Sequence, residues 1–392
     1  MAKERKGIEV SLAVAEAVAK ADCDVIAAYP ITPQTHIVEH LSEIVADGHL
    51  DAEFVPVESE HSAMSVCCGA AAVGARAFTS TASQGLALMA EIFFIASSSR
   101  LPVVMALANR SLSGPLSIWN DHTDTMMVRD GGWLHVFVEN GQEAYDHVFW
   151  AFRVAEDPAV RLPVALNIDG FILTHMIEPI YFEDDDLIKR YIPEYTMEKP
   201  LHPDSPVSMG CFGMPEIYTE VQMAREQALV GSYATCIKAW EEWEALTGRR
   251  YHPVETYRAD DAEYCIVTMG SLGETAMAAV DDLRDQGEPV GVIKIRLWRP
   301  FPFEDLYRAV AGKHTLVVLD RAISFGGPGG PVALELRSAL SCRPQPPAVV
   351  NYVAGLASRD VTVEDFKAII LEGKAKAAEG DVCGFTIYGL RG

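Results

Sequence analysis

Long apolar runs, basic surface charge and paired cysteines are what this sequence lacks. No stretch approaches the ~20 consecutive apolar residues that a membrane-spanning helix requires. With 32 Lys and Arg against 55 Asp and Glu, the formal charge is −23 and no basic patch interrupts it. A broad nucleic-acid or anionic-membrane surface is thereby excluded, because a polyphosphate would be repelled. The cysteines are Cys23, Cys67, Cys68, Cys211, Cys236, Cys265, Cys342 and Cys383, and no two of them form a C-x-x-C pair. No iron–sulfur or zinc-ribbon ligand set is therefore spelled out. Scattered thiols of this kind fit a reduced, cytoplasmic protein. Lys3, Arg5 and Lys6 open the chain, but Glu9 and Glu16 break the apolar stretch behind them. That segment reads as an amphipathic helix and not as a signal-peptide core.

What is present is 392 residues, 49% of them hydrophobic, which is length for two or three domains. From residue 8 to about 170, helical periodicity alternates with β-branched runs at 25–28, 53–57, 76–79, 102–107, 134–138 and 163–168. Strands alternating with helices predict a parallel sheet covered on both faces. Between 171 and 258 the regularity fails, with six prolines from Pro179 to Pro215 ahead of one long polar-faced helix at 216–246. This stretch is expected to be a connecting arm packed on the first domain. From 259 the alternation resumes, with strands at 264–269, 290–297 and 315–320, and the remainder to 392 forms a second, smaller α/β domain. No internal repeat and no low-complexity segment occurs.

Open α/β sheets bind ligands where the carboxyl ends of strands turn into helices. Four such loops follow the first strands: Tyr29-Pro30-Ile31-Thr32-Pro33-Gln34-Thr35, Glu58-Ser59-Glu60-His61, Thr79-Ser80-Thr81-Ala82-Ser83-Gln84-Gly85 and Asn109-Arg110. Thr32, between two stiffening prolines, reads either as an anion ligand or as a helix N-cap. Glu60 reads either as a capping partner or as a desolvated acid/base. Arg110 offers a fixed fork to a carboxylate or phosphate, or else pairs with an aspartate of the 111–129 loop. His36-Ile37-Val38-Glu39-His40 matches a five-residue zinc-peptidase string that nothing else in the chain supports. Gly270-Ser271-Leu272-Gly273 and the Gly-rich 326–330 lack the remaining residues of nucleotide-binding loops and read as structural turns.

Taken together, Tyr29-Pro30-Ile31-Thr32-Pro33, Glu58-Ser59-Glu60, Thr81-Ala82-Ser83-Gln84-Gly85-Leu86, Arg110, Ile118-Trp119-Asn120-Asp121-His122 and Asp169-Gly170 resemble the alpha subunit of pyruvate:ferredoxin oxidoreductase (pyruvate synthase). Further on, Ile293-Lys294-Ile295-Arg296-Leu297-Trp298-Arg299-Pro300-Phe301 and Leu319-Asp320-Arg321 look like the second domain of that subunit. The resemblance runs from about residue 7 to at least 330 in unbroken order. It is specific for the 2-oxoacid:ferredoxin oxidoreductase superfamily and less so for the oxoacid.

The resemblance implies a thiamine-diphosphate-binding, pyrimidine-type parallel-sheet domain at 1–170, followed after the arm by a transketolase C-terminal-like domain at 259–392. It implies that Glu60 hydrogen-bonds the pyrimidine nitrogen and drives the tautomer that removes the thiazolium C2 proton. It implies that Thr32 and Arg110 hold the substrate carboxylate, with Ile31, Asn120 and His122 as further pocket candidates; Asn120 departs from some relatives, where a glycine stands. No Gly-Asp-Gly with a following Asn-rich metal segment occurs here. The diphosphate and Mg²⁺ are therefore expected on a beta subunit, and [4Fe-4S] clusters on a ferredoxin-like delta subunit, with a gamma subunit and external ferredoxin as further partners. The implied reaction converts pyruvate and CoA to acetyl-CoA and CO₂ while reducing two ferredoxins, reversibly. Three rivals stand beside it: the same chemistry on 2-oxoglutarate, a branched-chain oxoacid or oxalate; a non-catalytic structural subunit; and a stand-alone transketolase-like enzyme, which would need its own metal ligands.

Overall fold

The computed structural model describes residues 4–391, so Lys3 of the N-terminal basic cluster lies outside the described residues. In chain order the first half runs β1 (Glu4–Glu9), α1 (Val10–Lys20), β2 (Val25–Ala28), α2 (Thr35–Ala46), β3 (Glu53–Pro56), α3 (Glu60–Ala72), β4 (Ala77–Thr81), α4 (Ser83–Ser98), β5 (Val103–Asn109), α5 (Thr123–Val128), β6 (Leu134–Phe137), α6 (Gly141–Ala155) and β7 (Val164–Asp169). It continues through β8 (Ile177–Phe182), α7 (Asp185–Tyr191) and α8 (Pro215–Thr247) to β9 (Val254–Tyr257), β10 (Tyr264–Thr268), α9 (Leu272–Asp285), β11 (Val290–Ile295), β12 (Leu297–Arg299) and α10 (Phe303–Ala309). The last elements are β13 (Thr315–Asp320), α11 (Pro331–Leu340), β14 (Ala348–Val353), α12 (Val363–Glu379) and β15 (Thr386–Ile387).

Two sheets organise these elements. The first has the order β12-β6-β7-β5-β4-β2-β3 and is parallel except for β12. β4, β5, β6 and β7 are buried along their whole length, as β-branched and apolar strands covered by helices on both faces must be. The second sheet has the order β15-β14-β13-β10-β11-β9 and is parallel except for β9.

Two elements depart from the sequence expectation. β9 was assigned to the connecting arm, yet its residues pair antiparallel with β11, because an edge strand needs only one partner and its half-buried pattern suits that place. The single strand expected at 290–297 breaks after Ile295, and Leu297 and Arg299 cross over to pair with β6 of the first sheet. The second domain thus lends a strand to the first.

The rest of the connecting segment packs against the first sheet's helices. β8 pairs antiparallel with β1. α8 starts with Pro215 at its first turn and stops at Gly248, whose φ of 77° suits a residue without a Cβ. Its C-terminal half stacks Trp240 on Trp150 (4.9 Å) and Trp243 on Phe149 (5.6 Å) of α6. Their indole N–H groups donate to His147 and Asp146 at 3.1 and 3.0 Å, which fixes the register of the pair. Among the described residues no helix is long and apolar enough to cross a membrane.

The carboxyl ends of the two sheets face one another. Lys294 at the end of β11 donates to Glu139 after β6 (2.7 Å), and Arg296 is buried between Glu143 (2.6 Å) of α6 and Glu255 of β9. The second domain therefore covers the β6–β7 half of the first sheet's carboxyl edge and leaves the β5-β4-β2-β3 half open.

Candidate active site

The open half of the edge gathers the loops singled out above. Glu60 is the first residue of α3 and is 7% exposed, in a sequence of Ala, Ser, Cys and Gly that packs closely. It does not cap its helix. Ser59 does so, accepting from the Ser62 N–H at 3.3 Å. The Glu60 carboxyl takes no hydrogen bond from the described residues, although it is more than nine-tenths buried. An unpartnered buried carboxyl is costly unless something outside the chain completes it. Beside it, the Thr81 hydroxyl is buried without a partner. The pair is seated against Gly85 at the first turn of α4, where an added Cβ would lie 2.7 Å from a Glu60 carboxyl oxygen and within contact of Thr81. Glycine is required there by space alone.

Arg110 leaves the end of β5 and is 6% exposed. Its Nε donates to the Ser117 carbonyl and its Nη1 to the Thr32 carbonyl, each at 2.9 Å. Among the described residues it has no ion-pair partner. Of the aspartates in the 111–129 loop, Asp124 accepts the Arg110 main-chain N–H (2.9 Å) and makes no ion pair with its guanidinium. Burial pulls the guanidinium below its ordinary value, offset in part by Asp124. A buried arginine oriented by two neutral carbonyls keeps its charge for an anion.

Thr32 is exposed and lies three residues before α2, whose N-cap position is held by Gln34. The N-cap alternative for Thr32 is thus removed. Its turn is pressed onto the sheet edge by Gly170, where a Cβ would fall 2.4 Å from the Asn109 carbonyl and 2.6 Å from Pro33. Ile31 is half-buried on the same turn.

Asp124 ties these loops together. It also accepts from the Ser83 N–H at the start of α4 (3.1 Å), from the Asn109 side chain (3.1 Å) and from its neighbour Thr125 (2.7 Å). Burial pushes its carboxyl up to about 7, against four N–H donors that favour the charged form.

Asn120 and His122 have a structural engagement that the sequence does not show. Both are buried, and both donate to Asp169 at the end of β7, Asn120 through Nδ2 at 3.3 Å and His122 through Nε2 at 2.9 Å. The second oxygen of Asp169 accepts from Ser271 N (2.9 Å) and Arg321 Nη1 (2.6 Å), which belong to loops of the second sheet. Burial opposes ionisation of Asp169, but Arg321 and His122 hold its carboxyl well below the usual range. These side chains knit the domains together, with their polar groups engaged by Asp169 and Asn109.

The sequence offers Asp169, Ser271 and Arg321 no role, and Asp124 only that of a loop aspartate. Their signal was faint: single charged or polar residues at loops and strand ends, whose partners lie from 14 to about 150 positions away. The two glycine turns are structural. Gly270 lets Asp169 approach, and Gly330 packs on Asp320, whose carboxylate accepts from Val332 N and Ala333 N at the start of α11. His36 and His40 engage Glu9 and Glu16 at 2.6 and 3.0 Å. A cavity of about 900 Å³ lies away from this site, between Arg129, Arg225, Tyr233, Arg299 and Phe301 beside the amino end of β6.

Comparison with known proteins bears on this geometry. Residues 16–235 match the thiamine-diphosphate-binding model of pyruvate flavodoxin/ferredoxin oxidoreductase, and residues 262–366 match pyruvate:ferredoxin oxidoreductase core domain II. The chain is 45% identical to pyruvate synthase subunit PorA of Methanocaldococcus jannaschii over 94% of each chain, and 45% identical to that of Thermotoga maritima over 93% of each. It is 40% identical to ketoisovalerate oxidoreductase subunit VorA of Pyrococcus furiosus over 96% of each. Among solved structures it is similar in fold to the 2-oxoglutarate:ferredoxin oxidoreductase of Magnetococcus marinus, with a TM-score of 0.73 at 20% identity. That alignment covers 95% of this chain but only 65% of the other. A split-gene transketolase aligns with a TM-score of 0.56 at 14% identity. With both segments matched in order and relatives aligned nearly end to end, the chain belongs to the pyruvate flavodoxin/ferredoxin oxidoreductase family, carrying its thiamine-diphosphate-binding domain and then its core domain II.

Proposed function

We propose that this chain is the alpha-type subunit of a multisubunit pyruvate:ferredoxin oxidoreductase, and that it supplies the pyrimidine half of the cofactor site and the grip on the substrate carboxylate. The observation that carries this reading is the pairing of an unpartnered buried carboxyl, Glu60, with an unpaired buried cation, Arg110, at one sheet edge. The residues present fit thiamine diphosphate. Glu60 and the Thr81 hydroxyl form a polar cradle without partners, floored by Gly85. When bound, that cofactor supplies the carbanion and the electron sink for decarboxylation.

The protein's own residues have three tasks. Glu60 would hydrogen-bond the pyrimidine nitrogen, and because no other group of the described residues meets its carboxyl, that carboxyl is free to serve this one partner. Arg110, fixed by the carbonyls of Thr32 and Ser117, presents its remaining N–H edge to the oxoacid carboxylate and so orients the keto carbon. Thr32 adds an exposed hydroxyl beside it. The rim around them is apolar and exposed, with Leu116, Ile118 and Trp119 facing outward, as a face covered by another chain would be. A beta subunit carrying the diphosphate and Mg²⁺ ligands fits that rim. A gamma subunit and a delta subunit with [4Fe-4S] clusters would complete the path to external ferredoxin.

Pyruvate is favoured as substrate because the PorA relatives reach 45% identity against 40% for VorA. That VorA relative keeps a branched-chain oxoacid as the second reading. The complex purified with its partners should reduce ferredoxin with the highest kcat/KM on pyruvate when compared with 2-oxoisovalerate, 2-oxoglutarate and oxalate. A higher value on any of the other three would overturn the substrate assignment. Retention of full activity by Glu60→Ala would instead favour a structural subunit.

A further inference from the structure

Arg110 is cupped by the loop 111–119, and that loop stands on two feet. The first is Ser111, whose N–H and hydroxyl reach the Trp119 carbonyl at 3.0 and 2.9 Å. The second is 120–122, and it is held chiefly by residues of the second sheet. Asn120 N donates to Ser358 Oγ (2.9 Å), Ser358 N donates back to the Asn120 carbonyl (2.6 Å), and His122 N donates to the Arg321 carbonyl (2.9 Å). Arg321 reaches the Asn120 side chain as well, through Nη2.

The Asp169 carboxylate is where these contacts converge. One oxygen accepts from His122 and Asn120 of the first domain, the other from Ser271 and Arg321 of the second. On the last rung of the β5–β7 ladder Asp169 is the lateral neighbour of Asn109. The Asn109 carbonyl in turn accepts from Gly170 N (3.1 Å) and from Asn120 Nδ2 (2.9 Å). Arg110 is the next residue along the chain. Asp169, Asn109, Asn120, His122 and Arg321 are all buried, so loosening one leaves another without a partner or water, and the foot of the loop has a single satisfied arrangement. On the same loop Leu116 and Ile118 face solvent in this chain, and Trp119, half exposed, packs its ring on Phe171 at 4.7 Å.

We propose that Asp169 is a positioning residue for substrate binding: by clamping 120–122 between the two sheets, it makes the second domain fix where the Arg110 guanidinium meets the carboxylate of a 2-oxoacid. The proposal rests on Arg110 being the carboxylate ligand.

The test uses the assembled holoenzyme and four variants: Asp169→Asn, Arg321→Lys, Arg110→Ala and the double variant Asp169→Asn/Arg110→Ala. Asp169→Asn is expected to raise KM for the oxoacid at least tenfold, with KM for coenzyme A and Kd for thiamine diphosphate unchanged within twofold. Arg321→Lys keeps the charge but loses the two-pronged geometry, and should raise the same KM three- to tenfold; it reads out the clamp if Asp169→Asn fails to assemble. On an Arg110→Ala background, Asp169→Asn should add less than a further twofold, since two residues acting through one contact are not additive. An unchanged oxoacid KM, an equal loss for all three ligands, or a fully multiplicative double variant would each overturn the proposal. If Arg110→Ala alone leaves KM unchanged, the carboxylate is held elsewhere, and the functional reading fails first and takes this inference with it.

Discussion

The guanidinium of Arg110 donates to the main-chain carbonyl of Thr32 at 2.9 Å, joining the loops after β5 and β2 across the open edge of the sheet. The contact is to backbone, so it orients the arginine without discharging it. Charge-assisted hydrogen bonds are worth about 1.5–3 kcal/mol each. Arg110→Ala should therefore raise KM for the oxoacid on the order of 10- to 100-fold, and Arg110→Lys should raise it less, because a lysine keeps the charge but not the fork. Steady-state kinetics on the assembled complex decide this.

Glu60 depends on Gly85 for its place. Glu60→Gln should lower kcat by about 10²-fold or more, the usual weight of a general acid/base. Gly85→Ala should lower kcat by a similar order without removing any reacting group, because its Cβ would meet the Glu60 carboxyl at 2.7 Å and push it aside. Gly231→Ala is the control. It lies within α8 with open space around it, so it should leave kcat alone and raise stability by about 0.5–1 kcal/mol.

Asp124 gives the fold a pH dependence of definite sign. Its carboxyl is pushed up to about 7 by burial, whereas an unfolded aspartate titrates near ~4. Between those values the folded chain binds a proton at Asp124 that the unfolded chain does not, so the contribution of this group to stability is full below pH ~4, falls as pH climbs to about 7, and levels off above. Asp320 is pushed up to about 7 by burial too, and adds in the same direction. Asp124→Asn should remove one of these contributions, flattening the fall by up to about 1.4 kcal/mol per pH unit. Thermal unfolding midpoints from pH 5 to 7 check it, and identical slopes for the two proteins would refute it.

Arg296 sits buried between Glu143 and Glu255 at the junction of the two sheets. Removing one member of a buried ion cluster typically costs about 3–5 kcal/mol, because the remaining charges stay desolvated. Arg296→Met should lower the unfolding midpoint accordingly. Replacing Glu143 and Glu255 by leucine in the same chain should recover most of the loss, since an apolar triad leaves no buried charge unpaired. Differential scanning calorimetry of the single and triple variants distinguishes the two.

Much of this was legible in the chain itself. Six strands of the first sheet follow from β-branched runs, because a strand covered on both faces must be apolar throughout. The loops that bear Thr32, Glu60 and Arg110 follow from their place after successive parallel strands, which all open on one edge. β9 and β12 were not legible. Four residues at an edge and three at a crossover carry too little periodicity to say which sheet they join. Asn120 and His122 were read as pocket residues because polar side chains in a loop near a site look free until their partners are known.

By itself, then, the sequence determined the alternation of strand and helix, the two sheets that this alternation builds, and the identity of the side chains at the strand ends. Those are local matters, decided by spacing, side-chain branching and the geometry of parallel crossovers. The tertiary structure alone decided which charges are neutralised. Asp169 is met by Arg321 and His122, Arg296 by Glu143 and Glu255, while among the described residues Arg110 has no ion-pair partner and the Glu60 carboxyl no hydrogen-bond partner. Pairing across some 40 to 150 positions depends on how two sheets close edge to edge, and a linear pattern holds no record of that.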